Sequence, residues 1–274
     1  MRSLGEVMAV ASLEGALLDK KGQMPQANVD VIQLFCSREG RFTVASNRTP
    51  AYVSRMLQGI PVTDPVICCG GATIYDVKNQ EYIAQRVLNT QQATDLLASV
   101  LIAFPQVGAI IQRQDGVLCV VQANEHTHAY LEREQTNWLL SQIEDVQQPW
   151  VRMILVGTAD VMDRLEPYAE RHRSNKELSF MRASEESFHI LGMGVSKGNA
   201  LRELSALCEM PQPYMYSIGG DHNDQSLLQA TGHGIALPEA PVRVKLAADL
   251  VTRLNRDEGG AAEFLYQLVK EFEA

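Results

Sequence analysis

What most limits the fold of this chain is an alternation of short apolar runs with helix-periodic segments that starts, stops and starts again. Residues 6–11, 41–46 and 65–69 are apolar runs of strand length. Between them, residues 28–38 and 50–58 repeat apolar positions at helical spacing. Gly40 stops the first of these helices and Thr49 is placed to cap the second. Strands alternating with helices predict a parallel sheet with right-handed crossovers. The pattern returns after Ser196, with a helix at 197–208, a strand at 214–218, a helix at 225–230, a strand at 234–237 and a closing helix at 263–272.

The middle of the chain breaks this rule. Residues 107–112 and 117–122 are strands joined by Gln114-Asp115-Gly116, which predicts a hairpin. Residues 178–183 and 187–191 predict a second one. Helices are predicted over 90–104, 125–143 and 159–172, with a strand at 150–156. Hairpins mixed with helices describe an α+β module set into an α/β one. The expected division is therefore 1–84 as the first part of the core, 85–187 as the insert and 188–274 as the second part of the core. A chain of 274 residues buries cores of this size without staples.

Charge and cysteine usage narrow the partners. The 33 acidic residues outnumber the 24 basic ones, giving a net charge of −9. An acidic surface argues against nucleic acid and anionic membranes as partners. No apolar run is long enough to span a bilayer, and Met1-Arg2-Ser3-Leu4-Gly5-Glu6 leads into a strand rather than into a signal-peptide pattern. Cys36, Cys68, Cys69, Cys119 and Cys208 are odd in number and lack framework spacing. That usage fits reduced thiols and a cytoplasmic location.

In an open parallel sheet, ligands bind beyond the carboxyl ends of the strands. Four segments lie there. They are Ser12-Leu13-Glu14-Gly15-Ala16-Leu17-Leu18-Asp19, Ala45-Ser46-Asn47-Arg48, Val195-Ser196-Lys197-Gly198-Asn199-Ala200 and Ile218-Gly219-Gly220-Asp221-His222-Asn223-Asp224. Their order and spacing resemble the haloacid dehalogenase superfamily, in particular its Cof-type (subfamily IIB) phosphatases, which carry a large cap after the second motif. Cys69-Gly70-Gly71-Ala72, the Lys197-Gly198 pair directly after the insert and the tail Asp257-Glu258-Gly259-Gly260-Ala261 extend the resemblance over nearly the whole chain. The resemblance implies a Rossmann-like parallel core with an inserted α+β cap, and a small phosphorylated metabolite or inorganic phosphate as ligand.

It also implies a chemistry that the residues do not all support. The family's first motif reads Asp-x-Asp-Gly-Thr-Leu. Its first Asp attacks phosphorus and ligates Mg²⁺, and its second is the general acid/base; without the carboxylate ligands, a backbone carbonyl near Glu14 and an outer Asp224 would make a poor Mg²⁺ site. Here Ser12 falls on the nucleophile position, Glu14 on the acid/base position and Ala16 on the threonine position. Ser46 keeps the phosphate-gripping hydroxyl, followed by Arg48, and Lys197 keeps the third motif's lysine. The fourth motif reads Gly-Asp-x-x-Asn-Asp in the family. Gly220 then takes the metal-ligand position, while Asn223 and Asp224 match. Losing carboxylates at 12 and 220 removes two negative charges, which balances the loss of one Mg²⁺.

The expectation is a phosphatase-class homologue that is inactive or severely impaired. Ser46, Lys197 and Asn223 would hold an anion, with no cofactor; Mg²⁺ belongs to the family pattern. The alternative is an active Mg²⁺-dependent phosphomonoester hydrolase with Asp221 and Asp224 as metal ligands. Plain structural roles stand beside these. Ser46 suits a helix cap, Lys197 a solvated helix start, and Asp221 and Asp224 a turn and an N-cap. Cys68-Cys69 reads as buried small hydrophobes, and His126 with His128 lacks the companions of a metal site.

Overall fold

The computed structural model describes residues 3–273. The chain forms two compact units: Met1–Asn47, Val53–Ile83 and Ser196–Ala274 make the first, and Arg48–Tyr52 with Ala84–Val195 the second.

The first unit is built on a sheet of eight strands. Their order is Leu250–Val251, His233–Ala236, Met215–Gly219, Met8–Ser12, Arg41–Ala45, Val66–Cys68, Thr73–Asp76 and Glu81–Gln85. The strands from Leu250–Val251 through Val66–Cys68 run parallel, and Val66–Cys68 pairs antiparallel with Thr73–Asp76. The central strand Met8–Ser12 is buried at every residue, as expected for a strand covered on both faces. Thr73–Asp76 and Glu81–Gln85 escape the sequence reading. Their apolar stretches, Ile74-Tyr75 and Tyr82-Ile83-Ala84, are only two and three residues long, too short to mark a strand as an apolar run.

Gly71 closes this unit at a point that matters for the site. Its φ is +106°, and a Cβ there would lie 2.2 Å from the Ser196 carbonyl oxygen. Only glycine tolerates both that torsion and that approach. Gly71→Ala is expected to destabilise the protein by about 1–3 kcal/mol, read from urea unfolding. An unchanged midpoint would show that the Ser196 backbone yields at no cost.

The second unit is a six-stranded sheet in the order Leu178–Ser184, Ser187–Gly192, Trp150–Val156, Gly108–Arg113, Leu118–Gln122 and Trp138–Leu140. Both predicted hairpins are present. One face packs Ile111, Met153, Leu155, Phe188 and Ile190 against Leu96, Leu97, Met162 and Leu165 of the helices Thr90–Ala103 and Ala159–Arg171. The other face packs Ile110, Val120, Ile154 and Val156 with Tyr130 and Leu131 of the helix Glu125–Glu134. The predicted helix at 125–143 therefore ends early. Gln135 turns left-handed with φ +48°, and Trp138–Leu140 joins the sheet edge instead. Sheet pairing overrides helical propensity there.

On that second face Arg152 and His189 are buried together. Arg152 Nε donates to Gln112 Oε1 at 2.6 Å, and its Nη1 donates to His189 Nδ1 at 3.3 Å. The acceptor role of Nδ1 places the imidazole proton on Nε2. Burial first, and then the charges of Arg152 and Arg48, hold the His189 pKa well below the usual imidazole value of 6.5. Below about pH 6.5 the unfolded chain takes up a proton that the native state refuses, so stability is full above that pH and falls below it. The slope is about 1.4 kcal/mol per pH unit. His189→Asn should flatten it. A wild-type protein equally stable at pH 7 and pH 5 would contradict a neutral buried His189.

Candidate active site

Three adjacent parallel strands deliver the first, second and fourth motifs to the carboxyl end of the core sheet. Ser12 lies opposite Ala45, and Ala11 opposite Ile218, so the loops after positions 12, 45 and 219 emerge side by side. Ser12 is fully buried, and its hydroxyl caps the tight turn Leu13–Leu17 by accepting the Gly15 N–H at 3.2 Å.

Lys197 is the first residue of the helix Lys197–Leu207, whose N-cap is Ser196. A cation is disfavoured at a helix N-terminus, and this one is also buried, at 1 % exposure. It is no solvated helix start. Its Nζ donates to Asp224 Oδ1 at 2.7 Å, to Asn223 Oδ1 at 2.9 Å and to the Ser12 hydroxyl at 3.2 Å. Burial alone would lower its pKa, but Asp224 and then Glu14 outweigh burial and hold the ammonium above its ordinary value. Asp224 is equally buried. Its second oxygen accepts the N–H groups of Gly220 at 3.0 Å and Asp221 at 2.9 Å. Asp224 makes no side-chain cap to the short helix Gln225–Leu228, whereas Asp221 exchanges hydrogen bonds with Asp224 in a capping box.

Glu14 points its carboxylate at the second motif. Ser46 Oγ donates to Oε1 at 2.5 Å and the Asn47 N–H to Oε2 at 3.4 Å. The Glu14 backbone carbonyl accepts from Arg256 Nη1 at 2.8 Å, and Arg256 Nη2 donates to Asp221 Oδ1 at 3.0 Å. Burial, followed by the Asp224 charge, raises the Asp221 pKa despite Arg256. Three carboxylates thus share this corner with two cations.

Arg48 belongs to the second unit. Its Nη1 donates to Glu134 Oε1 at 3.1 Å, while Glu134 Oε2 accepts from the Thr49 hydroxyl at 2.6 Å and the Thr49 N–H at 3.1 Å. The rings of Tyr52 and Tyr130 lie 5.4 and 5.8 Å from its guanidinium carbon. His222 is exposed, and Cys68 and Cys69 are buried.

The donor set does not fit Mg²⁺, which demands six oxygens in near-octahedral array. The Ser12 hydroxyl already accepts two hydrogen bonds. Position 220 offers no side chain, and a Cβ there would lie 2.5 Å from the Gly15 carbonyl oxygen. An aspartate at 220 therefore requires the first-motif loop to move. The Glu14 carbonyl and the Asp221 carboxylate are held by Arg256, and Asp224 by Lys197 and two amides. Among the described residues, no group of three or more His, Cys, Asp or Glu side chains is arranged to hold a metal ion.

The structure brings Ser12, Glu14, Ser46, Lys197, Asp221, Asn223 and Asp224 together in the first unit. Sequence reasoning missed Arg256, which reaches back across 242 positions to Glu14. The tail motif beginning at Asp257 marked the neighbourhood, but no spacing rule connects it to the first motif.

Similar proteins place the chain. It is 24 % identical to the 5-amino-6-(5-phospho-D-ribitylamino)uracil phosphatase YwtE of Bacillus subtilis, over 94 % of this chain and 96 % of that one. It is 24 % identical to the pyridoxal phosphate phosphatase YbhA of Escherichia coli, over 93 % and 95 %. The fold matches that of the subclass IIB sugar phosphatase BT4131 with a TM-score of 0.80 at 18 % identity, over 96 % of this chain and 99 % of that one. With the family model of haloacid dehalogenase-like hydrolases matching residues 10–265, the chain belongs to that family.

Proposed function

We propose that this chain is a metal-independent, non-hydrolytic member of its family, and that its core-sheet site binds inorganic phosphate or the phosphate group of a small metabolite. The carrying observation is Glu14. Its carboxylate rests on the Ser46 hydroxyl and the Asn47 amide, so the cradle that grips phosphate in the family already holds an anion here. Charge-assisted hydrogen bonds of this kind suit phosphate oxygens as well as carboxylate oxygens. A bound phosphate displaces Glu14 from the cradle. The names of YwtE and YbhA support a small phosphorylated metabolite as the ligand.

The absence of hydrolysis follows from the surroundings of Ser12. A serine nucleophile needs a base to take its proton. The charged group in contact with Ser12 is Lys197, which is kept protonated, and the Glu14 carboxylate is bonded to Ser46 instead. The active alternative, with Asp221 and Asp224 as metal ligands, requires both to leave the cations they now hold.

Calorimetric titration with inorganic phosphate tests this reading. Ser46→Ala should weaken binding by about 1.5–3 kcal/mol, the range for a hydrogen bond to a charged group. Glu14→Gln should strengthen it about tenfold, or about 1.4 kcal/mol, because a competing charge is gone. Wild type and Glu14→Gln that both fail to bind phosphate would overturn the proposal.

A further inference from the structure

We propose that Arg256 is a built-in replacement for the divalent cation of the family, a tethered guanidinium that occupies the metal's donors and keeps the metal out; this rests on the metal-independent reading above. The two terminal nitrogens of one guanidinium hold the Glu14 backbone carbonyl at 2.8 Å and the Asp221 carboxylate at 3.0 Å. The first is the backbone oxygen at the acid/base position, the donor that would remain for a metal in the first-motif loop once the carboxylate at 12 is gone. The second is the fourth-motif carboxylate left nearest the vacated position 220. An arginine fork serves two oxygens in a plane but does not need the octahedral shell that Mg²⁺ requires.

Electrostatics agree. The family pattern sets four carboxylates against a lysine and a doubly charged metal, leaving one net negative charge. Counted over the motif side chains and the cations they touch, Glu14, Asp221 and Asp224 stand against Lys197 and Arg256, again leaving one, with Glu239 outside the motifs at 3.8 Å from Arg256 Nε. Removal of the carboxylates at 12 and 220 balances the exchange of the metal for a single guanidinium once a new carboxylate is present at 221.

Arg256 is also positioned rather than loose. Its side chain is 18 % exposed. Its backbone N–H donates to Glu239 Oε1 at 2.8 Å, and its Nε lies 3.8 Å from the same oxygen. The flanking segment is pinned by Glu263, which accepts the N–H groups of Arg253 and Leu254, and by Asn255, which accepts the Glu258 N–H. An arginine fixed at both backbone and fork loses little freedom in serving as an internal cation.

The test is a titration with Mn²⁺, followed by the electron-paramagnetic-resonance signal of the free ion. Four proteins are compared: wild type, Ser12→Asp, Ser12→Asp with Arg256→Ala, and Ser12→Asp with Arg256→Gln. Ser12→Asp restores the carboxylate at position 12 beside Lys197. Wild type and Ser12→Asp should bind no Mn²⁺ up to millimolar concentration, because Arg256 still holds the remaining donors. Each double variant should bind at least about tenfold more tightly than Ser12→Asp. The glutamine variant keeps a neutral amide in place of the guanidinium, which guards against a result caused by unfolding. Saturable Mn²⁺ binding by wild type overturns the proposal, as does equal binding, or equal absence of binding, in Ser12→Asp and the double variants. Mg²⁺-dependent phosphate release by wild type would instead overturn the non-hydrolytic reading, so the two failures are distinguishable.

Discussion

Lys197→Met is expected to lower the unfolding free energy by about 3–5 kcal/mol, the cost of stranding a buried charge without its partner. Asp224 is fully buried, and its first oxygen has Lys197 at 2.7 Å. Without the ammonium, the Asp224 carboxylate keeps two amide hydrogen bonds but faces Glu14 and Asp221 with one cation fewer. Adding Asp224→Asn to Lys197→Met should recover part of the loss, because the stranded charge goes with it, and the two changes should be strongly non-additive. The pair's contribution is complete at neutral pH. The Lys197 pKa is raised in the native state, so the contribution is lost only as pH climbs past about 10.5 and through the native value. Chemical unfolding at pH 7 measures all of this. A Lys197→Met protein as stable as wild type would show that the pair contributes nothing to folding.

Phosphatase turnover is expected to stay at buffer background on any phosphomonoester, with or without Mg²⁺. Loss of a catalytic nucleophile costs on the order of 10⁶-fold in kcat, and positions 12 and 220 carry no carboxylate. Ser12→Asp alone should not restore turnover, because Arg256 still holds the Glu14 carbonyl and position 220 has no room for a ligand. A triple change to Asp at 12, 14 and 220 meets the same obstacle at Gly220, where the added Cβ falls 2.5 Å from a backbone oxygen. Inorganic phosphate released in proportion to purified protein, and abolished by Ser12→Ala, would refute the expectation.

The core was legible because its strands are buried on both faces and therefore read as plain apolar runs, as in Met8–Ser12. Glycine-marked turns did the same for the hairpin at Gln114-Asp115-Gly116. Elements at the sheet edges, or one strand in from them, were not legible. Thr73–Asp76, Glu81–Gln85 and Trp138–Leu140 are short strands whose existence depends on a neighbour to pair with. The same distinction runs through the site. Ser12, Glu14, Ser46 and Asp224 follow core strands and Lys197 opens a helix, so motif order is enough to single them out as candidates. Where their side chains point is a property of three dimensions. The longer side chain of Glu14 gave no sign that it would reach Ser46, and a lysine at a helix start gave no sign of full burial. Arg256 comes from a tail segment whose only local feature is its turn residues, so its arrival at Glu14 is set by packing alone.

Calorimetric titration of wild-type protein with inorganic phosphate, run once in EDTA and once in millimolar Mg²⁺, tests the metal-independent anion site most directly. Saturable binding with the same affinity in both buffers is expected, weakening as ionic strength rises because the attraction is largely between charges. Binding that appears only with Mg²⁺, or tightens tenfold or more when Mg²⁺ is added, would contradict it.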